Sequence, residues 1–275
     1  MYDNYKIIDT HTHIFPDELA ERAITFLEEE GNIKAEHNGT VLGLLKNMEQ
    51  SGIDRAVVLS IATKPGQVDK INQWAAAETK KFFPKLLLSG TLHPDYENIE
   101  DSIKFLKKNN INVIKLHPEY QYFCPADKRV FKLYEIASDY EMAIYFHAGR
   151  DIAYVGSRCT PKILNKIINK YPKLKVVAAH LGSFELWDEV LTYLAGENIF
   201  LDTGFTFDHI SEDIFYKIFE KHDKSKILFG TDSPWKPQLT YVKKILNLRI
   251  NREFLKKMLW DNAESLFWNN DGNYV

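Results

Sequence analysis

Tyr5-Lys6-Ile7-Ile8-Asp9-Thr10-His11-Thr12-His13 is an apolar run that ends in two histidines separated by one residue. Side chains two apart on a β-strand point to the same side. His11 and His13 therefore share a face and can chelate one cation, while Thr10 and Thr12 turn the other way. The same construction, a short β-branched or apolar run closing in polar groups, recurs down the chain, separated by stretches of helical period. Strands are predicted at Tyr5 to Thr10, Arg55 to Ile61, Leu86 to Leu92, Asn112 to His117, Ala143 to His147, Lys175 to His180, Ile199 to Thr203 and Lys226 to Asp232. Helices are predicted at Asp17 to Glu30 and Val41 to Ser51, both ahead of the second strand, then at Val68 to Phe83, Ile99 to Lys108, Asp127 to Tyr140, Pro161 to Tyr171, Phe184 to Leu194, Ser211 to Lys221 and Gln238 to Leu246, with C-terminal helices over Arg252 to Phe267. In the Pro161 to Tyr171 segment, Ile163, Ile167 and Tyr171 fall on one helical face, as a helix packed outside a sheet requires. Eight strand–helix units joined by right-handed crossovers point to a closed (β/α)₈ TIM barrel of the α/β class, one domain over residues 1–275. No Gly-x-Gly-x-x-Gly follows the first strand, which counts against a dinucleotide-binding sheet.

In such barrels the active site lies at the C-terminal ends of the strands, so polar strand ends become a geometric prediction. His11 and His13 close the first strand, Lys115 and His117 the fourth, His147 the fifth, His180 the sixth and Asp232 the eighth. Each has an ordinary explanation taken singly. A strand-end histidine serves as a core hydrogen-bonder, and an aspartate before Ser233-Pro234 suits a turn. Together they would be a costly accumulation at one rim unless something convergent satisfied them. Asp9 shares strand parity with His11 and is read either as an acceptor orienting a ligand imidazole or as a structural carboxylate on the barrel floor. His93 is a rim group or a loop cap; His37, His209 and His222 lack strand-end context and read as peripheral.

Composition sets the class. Hydrophobic residues at 45% and charged residues at 27% are ordinary for a globular chain. A net charge of −3, from 35 Lys and Arg against 38 Asp and Glu, leaves no positive excess to attract a phosphate backbone, so nucleic acid is not an expected partner. No apolar run approaches the roughly 20 residues that span a bilayer, and no basic segment with a cleavage site is present; the expectation is a cytoplasmic protein without a membrane partner. Cys124 and Cys159 lack CxxC spacing, which argues against a disulfide framework or thiolate metal site. The expected partner is a small-molecule substrate, with a homo-oligomer left open.

Six stretches carry a resemblance over the whole chain: Ile8 to His13, Met48 to Val58, His147, Ala179-His180-Leu181-Gly182, Gly230-Thr231-Asp232-Ser233-Pro234 and Asn262 to Phe267. With these the chain resembles the amidohydrolase superfamily of metal-dependent hydrolases, in the branch that includes aminocarboxymuconate-semialdehyde decarboxylase. The resemblance implies that His11, His13, His147 and Asp232 ligate one divalent metal, Zn²⁺, with His180 as the catalytic histidine and Asp232 also accepting a proton. Neutral imidazoles with a carboxylate suit zinc, which lowers the pKa of bound water to near 7. In binuclear members a lysine at the end of the fourth strand is carbamylated and bridges two metals. Lys115 stands at that place, and His180 would then hold the second ion; the mononuclear arrangement is the main expectation.

Substrate signals lie in the loops. His117, Tyr122, Arg150 and Trp235, with Tyr120, Phe123, Tyr154 and Arg158 nearby, suggest aromatic walls and a cationic anchor for a small carboxylated substrate, since an arginine fork matches a carboxylate. Two activities fit. Hydrolysis of an amide, ester or lactone is preferred for its breadth in the superfamily; the alternative is non-oxidative decarboxylation of an unsaturated or aromatic acid. A metal-stabilised scaffold without activity is disfavoured, because structural zinc sites are closed by protein ligands.

Overall fold

Short aliphatic and β-branched runs become parallel barrel strands when both of their faces are covered, one by the barrel interior and one by surrounding helices. The computed structural model describes residues 5–268. Its strands are β1 (Ile8–Thr12), β2 (Arg55–Val58), β3 (Leu86–Leu88), β4 (Gly90–Thr91), β5 (Val113–Leu116), β6 (Ala143–Phe146), β7 (Lys175–Ala178), β8 (Phe200–Asp202) and β9 (Ile227–Leu228). They pair in parallel in the orders β1-β2-β3 and β4-β5-β6-β7-β8-β9.

β3 and β4 are halves of the third predicted strand, parted at Ser89. There the Ser89 hydroxyl accepts the N–H of Ser60 and the Thr91 hydroxyl that of Ala62, each at 3.0 Å. Side chains thus replace the backbone ladder beyond Val58, which is why β2 stops short of the predicted Ile61. The barrel closes between β1 and the segment after β9: Thr10 N–H donates to Phe229 O at 2.9 Å, Asp232 N–H to His11 O at 2.8 Å and His13 N–H to Ser233 O at 2.6 Å. These bonds draw β1 forward to Ile8–Thr12, so His11 lies inside the ladder rather than beyond it. The expected (β/α)₈ barrel is the observed one.

α1 (Asp17–Gly31) and α2 (Val41–Ser51) both precede β2, as expected. α3 (Val68–Phe82), α4 (Ile99–Lys108), α5 (Phe131–Asp139), α6 (Pro161–Lys170), α7 (Trp187–Tyr193), α8 (Glu212–Lys221) and α9 (Gln238–Leu246) alternate with later strands, and α10 (Arg252–Lys256) runs on into π-helical turns over 257–261 and 264–268. α6 begins at Thr160, whose side chain caps the Ile163 N–H, with Pro161 preset for the first turn. Its buried face is Pro161, Leu164, Ile167 and Ile168, rotated from the predicted Ile163-Ile167-Tyr171 line. α7 starts three residues late because Phe184 is held extended: its N–H bonds Ala148 O and its carbonyl accepts from Arg150. This close approach requires glycine at 149, where φ is +89° and a Cβ would lie 2.1 Å from the Phe184 nitrogen. No helix among the described residues is long and apolar enough to cross a membrane.

Candidate active site

The barrel gathers the predicted polar strand ends at one rim. His11 sits in β1 with His13 just beyond it, Lys115 in β5 with His117 beyond, and Tyr145 in β6 with His147 beyond; His180 follows β7, Asp202 ends β8 and Asp232 follows β9. His180 (φ +60°), Leu181 (φ +54°) and Asp232 (φ +70°) are left-handed. Such conformations cost non-glycine residues of order 1–3 kcal/mol, and they persist where surrounding structure enforces them.

Four imidazoles share one arrangement, each with one nitrogen bonded outward. His13 Nδ1 lies 2.9 Å from Leu59 O, His147 Nε2 is 3.1 Å from Arg150 O and His180 Nδ1 is 2.9 Å from Gly204 O, while His11 Nδ1 is 3.2 Å from the Asp202 carboxylate. Carbonyls and carboxylates only accept, so each outward nitrogen carries the proton and each inward nitrogen presents a lone pair. The inward atoms crowd together. His11 Nε2 and His13 Nε2 lie 3.4 and 3.1 Å from Asp232 Oδ1, and His147 Nδ1 faces His180 Nε2 at 3.1 Å. Burial drives three of them toward the neutral form: His180 is pushed down to about 3, His147 falls well below its ordinary range and His13 is lowered too. Lone pairs that converge in this way repel one another and the Asp232 carboxylate unless a cation stands among them. The donor set therefore fits a divalent metal.

Donor atoms of His11, His180 and Asp232 lie within 4.8 Å of one another, as do those of His117, His147 and Asp151. His147 thus touches both groups through different nitrogens. Lys115 is buried with no hydrogen-bond partner for Nζ among the described residues, and burial lowers its ammonium to about 8 against the pull of Asp202 and Asp232.

Four residues not singled out from sequence complete the site. Asp202 accepts from His11, from the Tyr145 hydroxyl at 2.6 Å and from Gly204 N–H at 2.5 Å, and a Cβ at residue 204 would come within 2.8 Å of both Asp202 Oδ1 and His11 Nδ1. It orients the His11 imidazole, the role considered for Asp9. Asp9 instead takes the backbone N–H of His11 and Thr231, the Thr231 hydroxyl and Gln238 Nε2, making it a structural tie between β1 and the segment after β9. Asp202 ends a strand like the others, so the same rule extended to the seventh strand finds it. Asp151 lies in a loop with no such signal; its Oδ2 stands 3.4 Å from His117 Nε2 and 3.7 Å from His147 Nε2. Glu119 accepts from Arg158 N–H at 2.8 Å, and burial pushes its carboxyl up to about 7.

His117 stacks on His147, with centroids 4.1 Å apart and planes 10° apart, and packs edge-on against Tyr120. Tyr122 is 64% exposed, and the Arg150 guanidinium lies at the surface beside Glu185. Trp235 is half-buried, its backbone N–H bonded to the Asp232 carbonyl at 2.9 Å. His93 caps its loop through the Asp95 N–H. His37 reaches the rim, 3.1 Å from the Ser233 hydroxyl, whereas His222 is bonded to Ile199 O and Gly196 N–H away from it.

Comparison with known proteins gives the same architecture. An uncharacterized TIM-barrel protein from Bordetella bronchiseptica superposes with TM-score 0.76 at 18% identity, covering 95% of this chain and 98% of that one. 5-Carboxyvanillate decarboxylase from Sphingomonas paucimobilis gives 0.70 at 14%, covering 96% and 99%. A dihydroxybenzoic acid decarboxylase from Polaromonas sp. JS666, with bound manganese and the inhibitor 2-nitroresorcinol, gives 0.73 at 14%, covering 99% and 100%. No curated protein sequence matches the chain. The family model described as Amidohydrolase matches residues 8–267, the full extent of the barrel, and the chain belongs to that family of metal-dependent enzymes.

Proposed function

We propose that this chain is a metal-dependent, non-oxidative decarboxylase of a small unsaturated or aromatic carboxylic acid, with His11, His13, His147 and Asp232 holding one divalent cation. The observation that carries the metal assignment is the set of inward lone pairs: His11 Nε2 and His13 Nε2 beside Asp232 Oδ1 at 3.4 and 3.1 Å, with His147 Nδ1 turned inward and the other nitrogen of each ring committed to an acceptor. Three imidazoles and a carboxylate suit zinc; the manganese of the Polaromonas enzyme makes that ion the alternative in metal analysis. The preference for hydrolysis drawn from sequence gives way here, because two of the full-length structural neighbours are named decarboxylases.

A divalent cation in this position supplies positive charge against substrate oxygens as charge develops on them. Loss of CO₂ leaves the C–C bonding pair on the substrate carbon, and a proton must replace the departing group. His180 Nε2, the inward nitrogen outside that ligand set, is assigned to relay that proton from solvent. Its Nδ1–H bond to Gly204 O fixes the ring with Nε2 turned inward. The Tyr120 ring, edge-on against His117, supplies apolar wall for a planar substrate.

The test is a panel of hydroxybenzoates and carboxylated dienes turned over by metal-loaded protein in D₂O, scored for CO₂ and for deuterium at the decarboxylated carbon. The hydrolase reading rests on Asp232 as proton acceptor beside the ligand imidazoles. Lactones, amides and esters in ¹⁸O-labelled water test it: label in a new carboxyl group without CO₂ release would replace the carboxy-lyase assignment.

A further inference from the structure

Lys115 is a buried charged group that no hydrogen bond among the described residues satisfies. The residue is 1% exposed and its Nζ has no hydrogen-bond partner among them, although an ammonium carries three donors. It lies 5.0 Å from the centre of the Tyr145 ring, whose hydroxyl is already given to Asp202. The carboxylates that attract it through space are engaged elsewhere. Asp202 accepts from His11, Tyr145 and Gly204; Asp232 faces His11 and His13; Asp151 faces His117 and His147 and accepts from Ala153 N–H. Lys115 shares its face of β5 with His117, whose ring stacks on His147, so the side chain enters the barrel on the side where the imidazoles gather.

A buried ammonium without an acceptor is costly. Methionine would fill the same space, so packing does not explain the charge. We propose that Lys115 is the oxyanion-binding group of the site, receiving a substrate oxygen that stays in the product: an enolate or phenolate oxygen conjugated to the carbon that loses CO₂. The departing carboxylate is the poorer partner. Pairing with it would stabilise the substrate more than the transition state, because its charge moves away as the bond breaks, whereas the conjugated oxygen gains charge at that moment. This assignment rests on the carboxy-lyase reading for the identity of the oxyanion and narrows the substrate class to acids bearing an adjacent enol or phenol.

The experiment uses metal-loaded wild type, Lys115→Met and Lys115→Gln, each titrated with 2-nitroresorcinol, followed by its absorbance, and with benzoate, followed by calorimetry. Wild type is expected to bind 2-nitroresorcinol about tenfold or more tightly than either variant, the scale of a lost charged hydrogen bond, with benzoate affinity unchanged. Both variants should melt no lower than wild type, because an unpaired buried charge has been removed. The assignment is overturned by equal 2-nitroresorcinol affinity in all three proteins, by no binding to wild type, by a loss confined to benzoate, or by a ¹³C carbamate signal on Lys115 in labelled bicarbonate. These titrations need no turnover. A Lys115-dependent affinity without CO₂ release from any acid would remove the decarboxylase reading alone.

Discussion

Asp202→Asn isolates the contribution of a residue that touches a ligand imidazole without entering the metal's donor set. Asp202 Oδ2 takes both His11 Nδ1–H at 3.2 Å and the Tyr145 hydroxyl at 2.6 Å, while Oδ1 takes Gly204 N–H at 2.5 Å. Burial pushes this carboxyl up, but the His11 ring and the Tyr145 hydroxyl outweigh burial and hold it down to about 2, so it is ionised at any working pH. An asparagine has one acceptor oxygen for three donors. If that oxygen keeps His11 and Tyr145, the amide NH₂ confronts Gly204 N–H; if it flips, the NH₂ confronts His11 and frees the ring to rotate or change tautomer. A charged hydrogen bond of this kind contributes roughly 1.5–3 kcal/mol, about tenfold to a hundredfold in an equilibrium constant. That range matches the effect of removing an acceptor behind a metal-bound histidine. Competition between the protein and a chromophoric chelator should therefore show metal affinity falling by about one to two orders of magnitude in Asp202→Asn. Tyr145→Phe, which removes one donor and leaves the carboxylate, should fall between the variant and wild type. A folded Asp202→Asn protein that binds metal within about twofold of wild type would refute the coupling.

His13→Ala and His147→Ala should each abolish metal binding and activity while near-native circular dichroism persists, since a barrel core of this size does not depend on one ion; metal retained at one equivalent in His147→Ala would move that residue out of the ligand set. His180→Asn should keep its metal and lose roughly 10²-fold or more in kcat, the usual scale of acid–base help, whereas loss of metal from that variant would make His180 a ligand. Burial lowers His222 from 6.5 to about 4, so the unfolded chain takes up its proton first as pH falls. Its stabilising contribution, roughly 3 kcal/mol, is full above pH 6.5 and lost between 6.5 and about 4. Asp9, raised to about 6 by burial, acts in the opposite sense, contributing most below its ordinary range and nothing above its raised value. Urea denaturation of wild type and His222→Gln at about pH 7 and about pH 4.5 separates the two: wild type should lose more stability on acidification than the variant, and parallel losses would exclude His222 as a source.

The number and order of the barrel units were legible in the residues alone, because a strand buried on both faces must be a short apolar run and an outer helix must carry a 3.6-residue stripe. The residues also determined which strand ends are polar, and the rule that barrel sites lie at those ends brought His11, His13, Lys115, His117, His147, His180 and Asp232 to one rim. Strand ends were less legible. β2 yields to side-chain hydroxyls at Ser89 and Thr91, and α7 begins late because Phe184 is tied to Ala148 and Arg150, both contacts between segments far apart in the chain. Which nitrogen of each imidazole faces inward was fixed by folding, since that depends on the carbonyls of Leu59, Arg150 and Gly204. Folding also put Asp202 rather than Asp9 behind His11, and it set Arg150 at the surface while leaving Lys115 buried without an acceptor among the described residues. Periodicity tells which side of a strand a residue occupies, but hydrogen-bond partners and burial are properties of the closed barrel, in which residues about 200 positions apart, such as His11 and Asp202, become neighbours.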